Sequence, residues 1–256
     1  MKSPLALAAL CAFVAGCHDF DALSSRYGND DLGRDLAVEL DMSPSGAPDL
    51  SPPRAGDLAG ADLSPLQPDM IPAGHLSGSG APTASVVDLT AAGTLDWAHW
   101  GYPDDDMDHK ASSASLIPSY TTLSGLVALA YANNPDGFSW SDGTVTPSVT
   151  STTTGMYRPD AGDGFQLVVP ASTVPRTLVV YVGGYRSNGK LTASLSDHSA
   201  PDYSDASFVD LVDNIYAATY TLTFNAASAG QTLTITWSAS TIVMDGNVSL
   251  QAAALR

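Results

Sequence analysis

The segment Gln231–Ala239 reads QTLTITWSA, in which Leu233, Ile235 and Trp237 alternate with threonine and serine. Successive side chains of a β-strand point to opposite faces of a sheet, so this alternation predicts a strand with one buried face and places Trp237 in the core. Five further segments share the period and are rich in Val, Thr, Tyr and Leu. They are SVVDLTA (85–91), RTLVVYVG (176–183), GKLTASLSD (189–197), ATYTLTFNA (218–226) and GNVSLQAAAL (246–255).

Glycine-containing turn signals interrupt these segments and set the predicted fold. About ten short strands follow, which is typical of an all-β, antiparallel β-sandwich of the jelly-roll kind over residues 84–256. Asn188-Gly189 lies between two alternating runs and predicts a hairpin corner there. The other signals are Asp142-Gly143, Asp163-Gly164, Gly183-Gly184 and Asp245-Gly246.

The amino terminus has the pattern of a lipoprotein signal peptide over residues 1–16. An apolar run, Leu5–Val14, is too short to span a bilayer and ends in VAGC at Val14–Cys17. VAGC resembles the lipobox of bacterial lipoproteins, which implies acylation of Cys17, palmitate included, and anchoring in the membrane. The residue after Cys17 is His18 rather than aspartate, so the resemblance favours the outer membrane or cell surface. The alternative is an ordinary signal peptide that ends in cysteine.

Residues 17–80 have the composition of a disordered, lipid-anchored linker. Aspartate, proline and serine dominate, and the unit Asp-(Leu/Met)-Ser-Pro recurs at 41–44, 49–52 and 62–65. Such a segment buries too little apolar surface to offset the entropy of ordering. We expect a self-repelling stalk; the alternative is that the repeats bind a partner or calcium.

Charge and cysteine content narrow the classes of partner. A formal net charge of -17 argues against nucleic acid, because phosphate binding needs clusters of lysine and arginine. The two cysteines, Cys11 and Cys17, both lie at the amino terminus, so the predicted sandwich has neither a disulfide nor a thiolate metal site.

The folded part resembles an accessory β-sandwich module of secreted and surface bacterial proteins. The resemblance covers roughly Ser85–Leu255, opens with TLDWAHWG (94–101) and closes with GNVSLQAAAL, which is similar to the last strand of galactose-binding-like jelly rolls in carbohydrate-binding modules. It implies a jelly roll that attaches to glycans or surfaces. No established ligand residues come with it.

Candidate ligand residues are aromatic and cationic side chains predicted to lie in loops. Sugar recognition needs flat apolar ring faces together with a few polar groups for hydroxyls. The leading function is therefore a non-catalytic, lipid-anchored module that binds carbohydrate. The alternative is a structural or assembly protein of the envelope that binds a protein partner. The candidates are Trp100, Tyr102, Trp140, Tyr157, Arg158, Tyr185 and Arg186.

No cofactor is expected, although one loop offers a speculative calcium site. Asp104, Asp106 and Asp108 stand at alternate positions, and carboxylates at that spacing can face one Ca²⁺. The turn glycine and terminal glutamate of an EF-hand are missing. A solvated acidic loop is the favoured interpretation.

The sequence gives no support to an enzyme. The only glutamate is Glu39, outside the predicted domain, and no nucleophile elbow, zinc-binding helix or P-loop is present. A triad of Asp197, His198 and Ser199 would need them to meet in space, and residues adjacent in sequence do not generally point at one another in a strand.

The stretch TLDWAHWG is expected to divide between two faces of one strand. Leu95, Trp97 and His99 would face the core, with His99 hydrogen-bonded at the sheet edge. Trp100 would face outward beside the acidic loop, where a ligand could reach it.

Overall fold

The computed structural model describes residues 73–83, 86–111 and 114–256, all within one compact unit, Leu63–Arg256. The predicted signal peptide, lipobox and Asp-Ser-Pro repeats lie outside these residues. The described residues form one short helix, α1 (Leu89–Ala92), and fifteen strands. The strands are β1 (His75–Pro82), β2 (Val86–Asp88), β3 (Asp96–Trp100), β4 (Met107–Lys110), β5 (Thr121–Thr122), β6 (Leu129–Tyr131), β7 (Gly137–Trp140), β8 (Gly143–Thr144), β9 (Val149–Thr152), β10 (Gly155–Arg158), β11 (Gly164–Ala171), β12 (Arg176–Leu195), β13 (Tyr203–Asp205), β14 (Val209–Asn225) and β15 (Gln231–Leu255).

Three long strands, β12, β14 and β15, organise the sheet. β12 lies between the other two and pairs antiparallel with both. All three are interrupted at one level, which we call the bend: Arg186 has φ +44, and residues 211–214 and 243–246 have no partner in β12. On one side of the bend β15 continues to β11, and on the other to β10 and β3.

The two sides of the bend fold over one another and enclose the main core. The indole of Trp237 lies on one side, and its Nε1 donates to the carbonyl of Gly183 on the other at 3.1 Å. Trp237 also contacts Tyr220 of β14, with ring centroids 5.8 Å apart. Leu178 and Leu191, from opposite sides of the bend, belong to this same core. The prediction of an all-β, antiparallel, sandwich-like fold with Trp237 in its core is confirmed.

A second, smaller sheet covers the other face of the large one. β7 pairs with β9 and, in parallel, with β2. Alternate residues of β12 and β15 that point away from the main core pack against it, and Val179 and Ala252 are examples. The outer aromatic residue of this layer, Trp140, is 3% exposed.

The hairpin predicted at Asn188-Gly189 is wrong, because β12 runs through both residues without reversing. Gly189 serves packing instead. A Cβ built there would lie 2.0 Å from the ring of Trp237, so only glycine leaves room for the indole. Gly183-Gly184 and Asp245-Gly246, also predicted as turns, lie inside β12 and β15. The core therefore contains fewer and longer strands than the sequence predicts.

The boundary predicted for the linker also differs from the structure. Residues 75–80, assigned to the linker, belong to β1, which pairs with β14 from Asn225 to Ala218. The sequence did not predict this strand because Gly78 and Gly80 lie in it, and glycine has weak strand propensity. Their missing side chains leave space for the rings of Tyr203 and Phe208, which a Cβ would meet at under 3 Å.

SVVDLTA is a strand only as far as Asp88. The Asp88 side chain then accepts a hydrogen bond from the Ala91 amide and caps α1. Within the part of the chain that the structure describes, no helix is long and apolar enough to cross a bilayer.

The division predicted for TLDWAHWG is only partly correct, because β3 is buried on both faces between the two cores. Trp97 is in the core as predicted, whereas Leu95 precedes the strand and is exposed. Asp96, predicted to face outward, is buried and accepts hydrogen bonds from the amides of Leu116 and Ile117 at 2.6 and 2.9 Å. It therefore joins β3 to the following loop.

His99 is neither at an exposed edge nor hydrogen-bonded in the predicted way. It is fully buried between the rings of Phe138 and Trp140, at centroid distances of 5.4 and 5.2 Å. Neither ring nitrogen has a partner of full hydrogen-bond geometry among the described residues. Burial lowers the pKa of His99 to about 3, against a weaker opposing effect from the backbone of Thr154.

Candidate functional site

A recess of about 340 Å³ opens on the large sheet. It lies on the same face as Val179 and Tyr181, next to the area that the small sheet covers. Five strands and one loop contribute to it. Three tyrosines, two asparagines and a serine supply rings, amides and hydroxyls, and no charged side chain lines it. The lining residues are Ala130, Tyr131, Asn133, Tyr157, Gly184, Tyr185, Ile215, Asn247 and Ser249.

The alternation of β10 places Tyr157 in the recess and its neighbour inside the protein. Tyr157 pairs with Ser249 of β15, and residues directly opposite in an antiparallel pair share a face. Arg158, one position on, points to the opposite face and is buried. One of two adjacent candidates is thus in the recess, and the other is structural.

Tyr131 forms a wall that is held in place from both sides. Its ring meets Tyr157 edge to face, with centroids 6.2 Å apart. Its hydroxyl donates to Asn134 Oδ1 at 3.3 Å and accepts from the Gln251 amide. Burial raises the pKa of Tyr131 to about 12, against hydrogen bonds from Ser249 and Gln251 that lower it. The phenol stays neutral and fixed.

Glycine creates the floor of the recess. A Cβ on Gly183 would lie 3.0 Å from the Ser249 hydroxyl, and one on Gly184 would lie 2.5 Å from the hydroxyls of Ser187 and Tyr216. Larger residues at Gly183 would crowd the floor at Ser249. The dipeptide predicted as a turn therefore lies within β12, where close contacts on both residues leave no room for larger side chains.

The bend forms the remaining wall and is held by Arg186. The Arg186 guanidinium pairs with Asp213 and Asp245 at 2.9 and 2.6 Å and so links the two unpaired stretches. It also lies over the Tyr185 ring, 5.0 Å from the centroid. The Tyr185 hydroxyl donates to Asp213 at 2.6 Å. Arg186, predicted to bind ligand, instead positions Tyr185, which lines the recess.

Besides Arg186, four more of the seven predicted ligand residues lie outside the recess. Trp100 is 1% exposed and packs on Tyr120, which corrects the prediction that it faces solvent. Trp140 is buried, with Nε1 donating to the Thr146 carbonyl at 2.9 Å. Tyr102 is half-buried with its ring against Trp140, 5.8 Å away and outside the recess. Trp100 belongs to the main core, whereas Trp140 belongs to the smaller core beside the second sheet, with Tyr102 packed against it.

Arg158 is the fourth, and it stabilises the interior. Its guanidinium pairs with the Asp163 carboxylate, and both side chains are about 5% exposed or less. It also donates to the Val127 carbonyl at 2.7 Å. Burial alone would raise the pKa of Asp163, but hydrogen bonds from Ser124, Gly164 and Arg158 outweigh it and leave the pKa below its usual value.

The three aspartates proposed for calcium are not brought together. Asp104 and Asp106 are exposed, whereas Asp108 belongs to β4, is buried and accepts from the Thr146 amide. Across the described residues, no group of three or more His, Cys, Asp or Glu side chains could hold a metal ion. Calcium at this loop is not supported.

Sequence reasoning missed Tyr131 and the amides beside it. The tetrapeptide YANN (131–134) combines an aromatic ring with two amides in a turn-forming segment, which is the signal that could have found them. Asn247 and Ser249 gave no signal, because they lie in an alternating strand and reach the recess only through pairing.

No protein-family model, curated protein or solved structure matches this chain. The chemistry of the recess is therefore the basis for a function. Neutral rings and amides can stack on and hydrogen-bond to an uncharged, hydroxyl-rich ligand, and an ion would find no opposite charge among the lining residues.

Proposed function

We propose that the domain is a non-catalytic module that binds neutral carbohydrate. One observation carries the proposal: Tyr131, Tyr157 and Tyr185 surround a recess whose polar lining is uncharged. Aromatic rings stack on the C–H faces of sugars, while amides and hydroxyls exchange hydrogen bonds with sugar hydroxyls. The resemblance to jelly-roll carbohydrate-binding modules supports the same class of ligand.

The test is binding of the purified chain to an array of neutral oligosaccharides. A Tyr157→Ala variant should bind at least about tenfold more weakly, equivalent to about 1.4 kcal/mol, because it loses a ring at the centre of the site. Tyr157→Phe keeps the ring and should retain most of the affinity. Titration calorimetry on the best array ligand measures both. A folded chain that binds nothing on the array would overturn the proposal.

We further propose that the module is displayed from the bacterial outer membrane or cell surface by acyl chains on Cys17. The VAGC sequence at Val14–Cys17 supports this. Several acyl chains give stable anchoring, whereas the chain without them has no such attachment. A Cys17→Ser chain should move from the membrane to the soluble fraction of cells and should no longer incorporate labelled palmitate. Equal membrane fractions for both chains would contradict the anchor.

A second candidate function is assembly with an envelope protein. Val212 and Met244, in the two unpaired stretches of the bend, are 78% and 82% exposed, and a protein partner that covered them would remove their apolar surface from water. Failure on the glycan array, together with crosslinking to one partner that Val212→Ser and Met244→Ser prevent, would favour this candidate.

A further inference from the structure

A second recess, of about 250 Å³, adjoins the first and shares Ala130 and Tyr131 with it. Its other lining residues are Gly101, Asp104, Ala132 and Thr154. The half-buried, hydrogen-bonded Tyr131 thus belongs to both recesses. A ligand that filled both would pass across this residue.

The shared wall is rigid. Gly155 lies against Tyr131, because a Cβ there would come within 2.7 Å of the ring. The ring is therefore held at its hydroxyl by Asn134 and Gln251 and along one edge by Gly155. A site whose wall is fixed before binding loses little entropy when a ligand arrives.

The polar groups of the two recesses differ in charge. The first offers only amides and hydroxyls, whereas the second offers the Asp104 carboxylate. Asp104 is exposed, and among the described residues its carboxylate has no hydrogen-bond or ion-pair partner. A carboxylate accepts hydrogen bonds from two hydroxyls and repels another carboxylate. The second recess therefore favours a hydroxyl-rich group and disfavours an anionic one.

We infer that the two recesses are adjacent subsites for an oligosaccharide of at least two sugar units, with an uncharged unit at Asp104. The inference rests on the proposed function and adds the minimum length and the charge of the ligand. Tyr157 serves the first unit, Asp104 serves the second, and Tyr131 contacts both. Chains with a uronic acid at the second position are disfavoured by repulsion from Asp104.

The experiment compares three kinds of probe by titration calorimetry on the full chain in detergent. They are methyl glucoside and methyl galactoside, the neutral disaccharides cellobiose and lactose, and the same disaccharides with one unit oxidised to a uronic acid. The better neutral disaccharide should bind at least about tenfold more tightly than its methyl glycoside and than its uronic acid form.

Asp104→Asn tests the assignment of the second subsite. Asparagine tolerates the left-handed backbone of Asp104, at φ +60, and removes only the charge. The preference for neutral over acidic disaccharide should fall several-fold, and affinity for the methyl glycoside should not change. Asp105→Asn, one residue away in the same exposed loop and outside the recess, is the matched control and should keep the preference.

The outcomes separate the two proposals. Equal affinity for methyl glycoside and disaccharide, or a preference that Asp104→Asn leaves intact, overturns the second subsite while the carbohydrate module stands. No binding of any of these neutral probes, nor of the array, overturns both.

Discussion

Replacing Arg158 with methionine is expected to lower the free energy of unfolding by about 3–5 kcal/mol. The Arg158 and Asp163 side chains are 5% and 4% exposed, so Arg158→Met leaves a carboxylate buried without its counter-charge. The variant also loses hydrogen bonds to Val127 and Asp160. Urea unfolding followed by tryptophan fluorescence measures the change.

The second substitution of the pair separates buried charge from lost packing. In Arg158→Met/Asp163→Asn the charge is gone, while the amide oxygen still accepts from the Ser124 and Gly164 amides, at 3.0 and 2.8 Å in the native chain. The double variant should recover about half of the loss. Arg176→Met, at an arginine with one 3.3 Å bond to the Pro170 carbonyl, should cost less than about 0.5 kcal/mol. If Arg158→Met lowers the free energy of unfolding by less than about 1 kcal/mol, the loss is no larger than that of an exposed ion pair. That result would refute the assignment of a stabilising buried pair.

Acid should destabilise the domain through His99 as soon as the pH falls below about 6.5, the ordinary pKa of histidine. Its pKa is about 3 in the folded chain against 6.5 in the unfolded chain. Between these values the unfolded chain binds more protons, so stability is complete above pH 6.5 and falls as the pH falls. The slope approaches about 1.4 kcal/mol per pH unit, and the loss between pH 7.5 and 4.5 is about 2–3 kcal/mol.

His99→Phe should flatten this slope, because a phenyl ring does not titrate. The substitution should also be tolerated, because the His99 ring nitrogens make, with the described residues, no hydrogen bond of full geometry that would be lost. His99 lies opposite Asp108 in the register, and the Thr146 amide binds that carboxylate. Asp142 and Asp163 have lowered pKa values, so the stability they contribute is lost as the pH falls from the usual carboxyl pKa toward the lowered one. His198→Asn, at an exposed turn with φ +51, is the control and should keep the slope. Urea unfolding at intervals from pH 7.5 to 4.5 decides; an unchanged slope in His99→Phe rules out His99 as its source.

The predictable part of the fold is the part that local alternation determines. Leu233, Ile235 and Trp237 alternate in the sequence and are buried in β15, because a strand with one covered face needs that period. In β3, alternation does not predict which residues are buried. Both of its faces are covered, so Asp96 and Trp100 are as buried as Trp97, and alternation carries no information about exposure there.

The residues of the recess could not be predicted from short segments, because packing and strand pairing between distant residues determine them. Asn188-Gly189 has the composition of a hairpin, but Trp237, almost fifty residues away, requires glycine for its own packing space. Of the predicted ligand residues, only Tyr157 and Tyr185 line the recess, and strand pairing with β15 brings them there. Arg158 could not be distinguished from Tyr157 by composition, since adjacent residues of a strand reach opposite sides of the sheet.

The pairing of β1 with β14 determines how the domain would carry mechanical load. β1 begins at His75 opposite Asn225, and β14 runs from there back to Ile215 in the wall of the recess. Tension between the chain entering at His75 and a ligand held in the recess pulls the two strands in opposite directions along their axes. All eight residue pairs then bear the force together in shear, whereas a peeling geometry would break them one at a time.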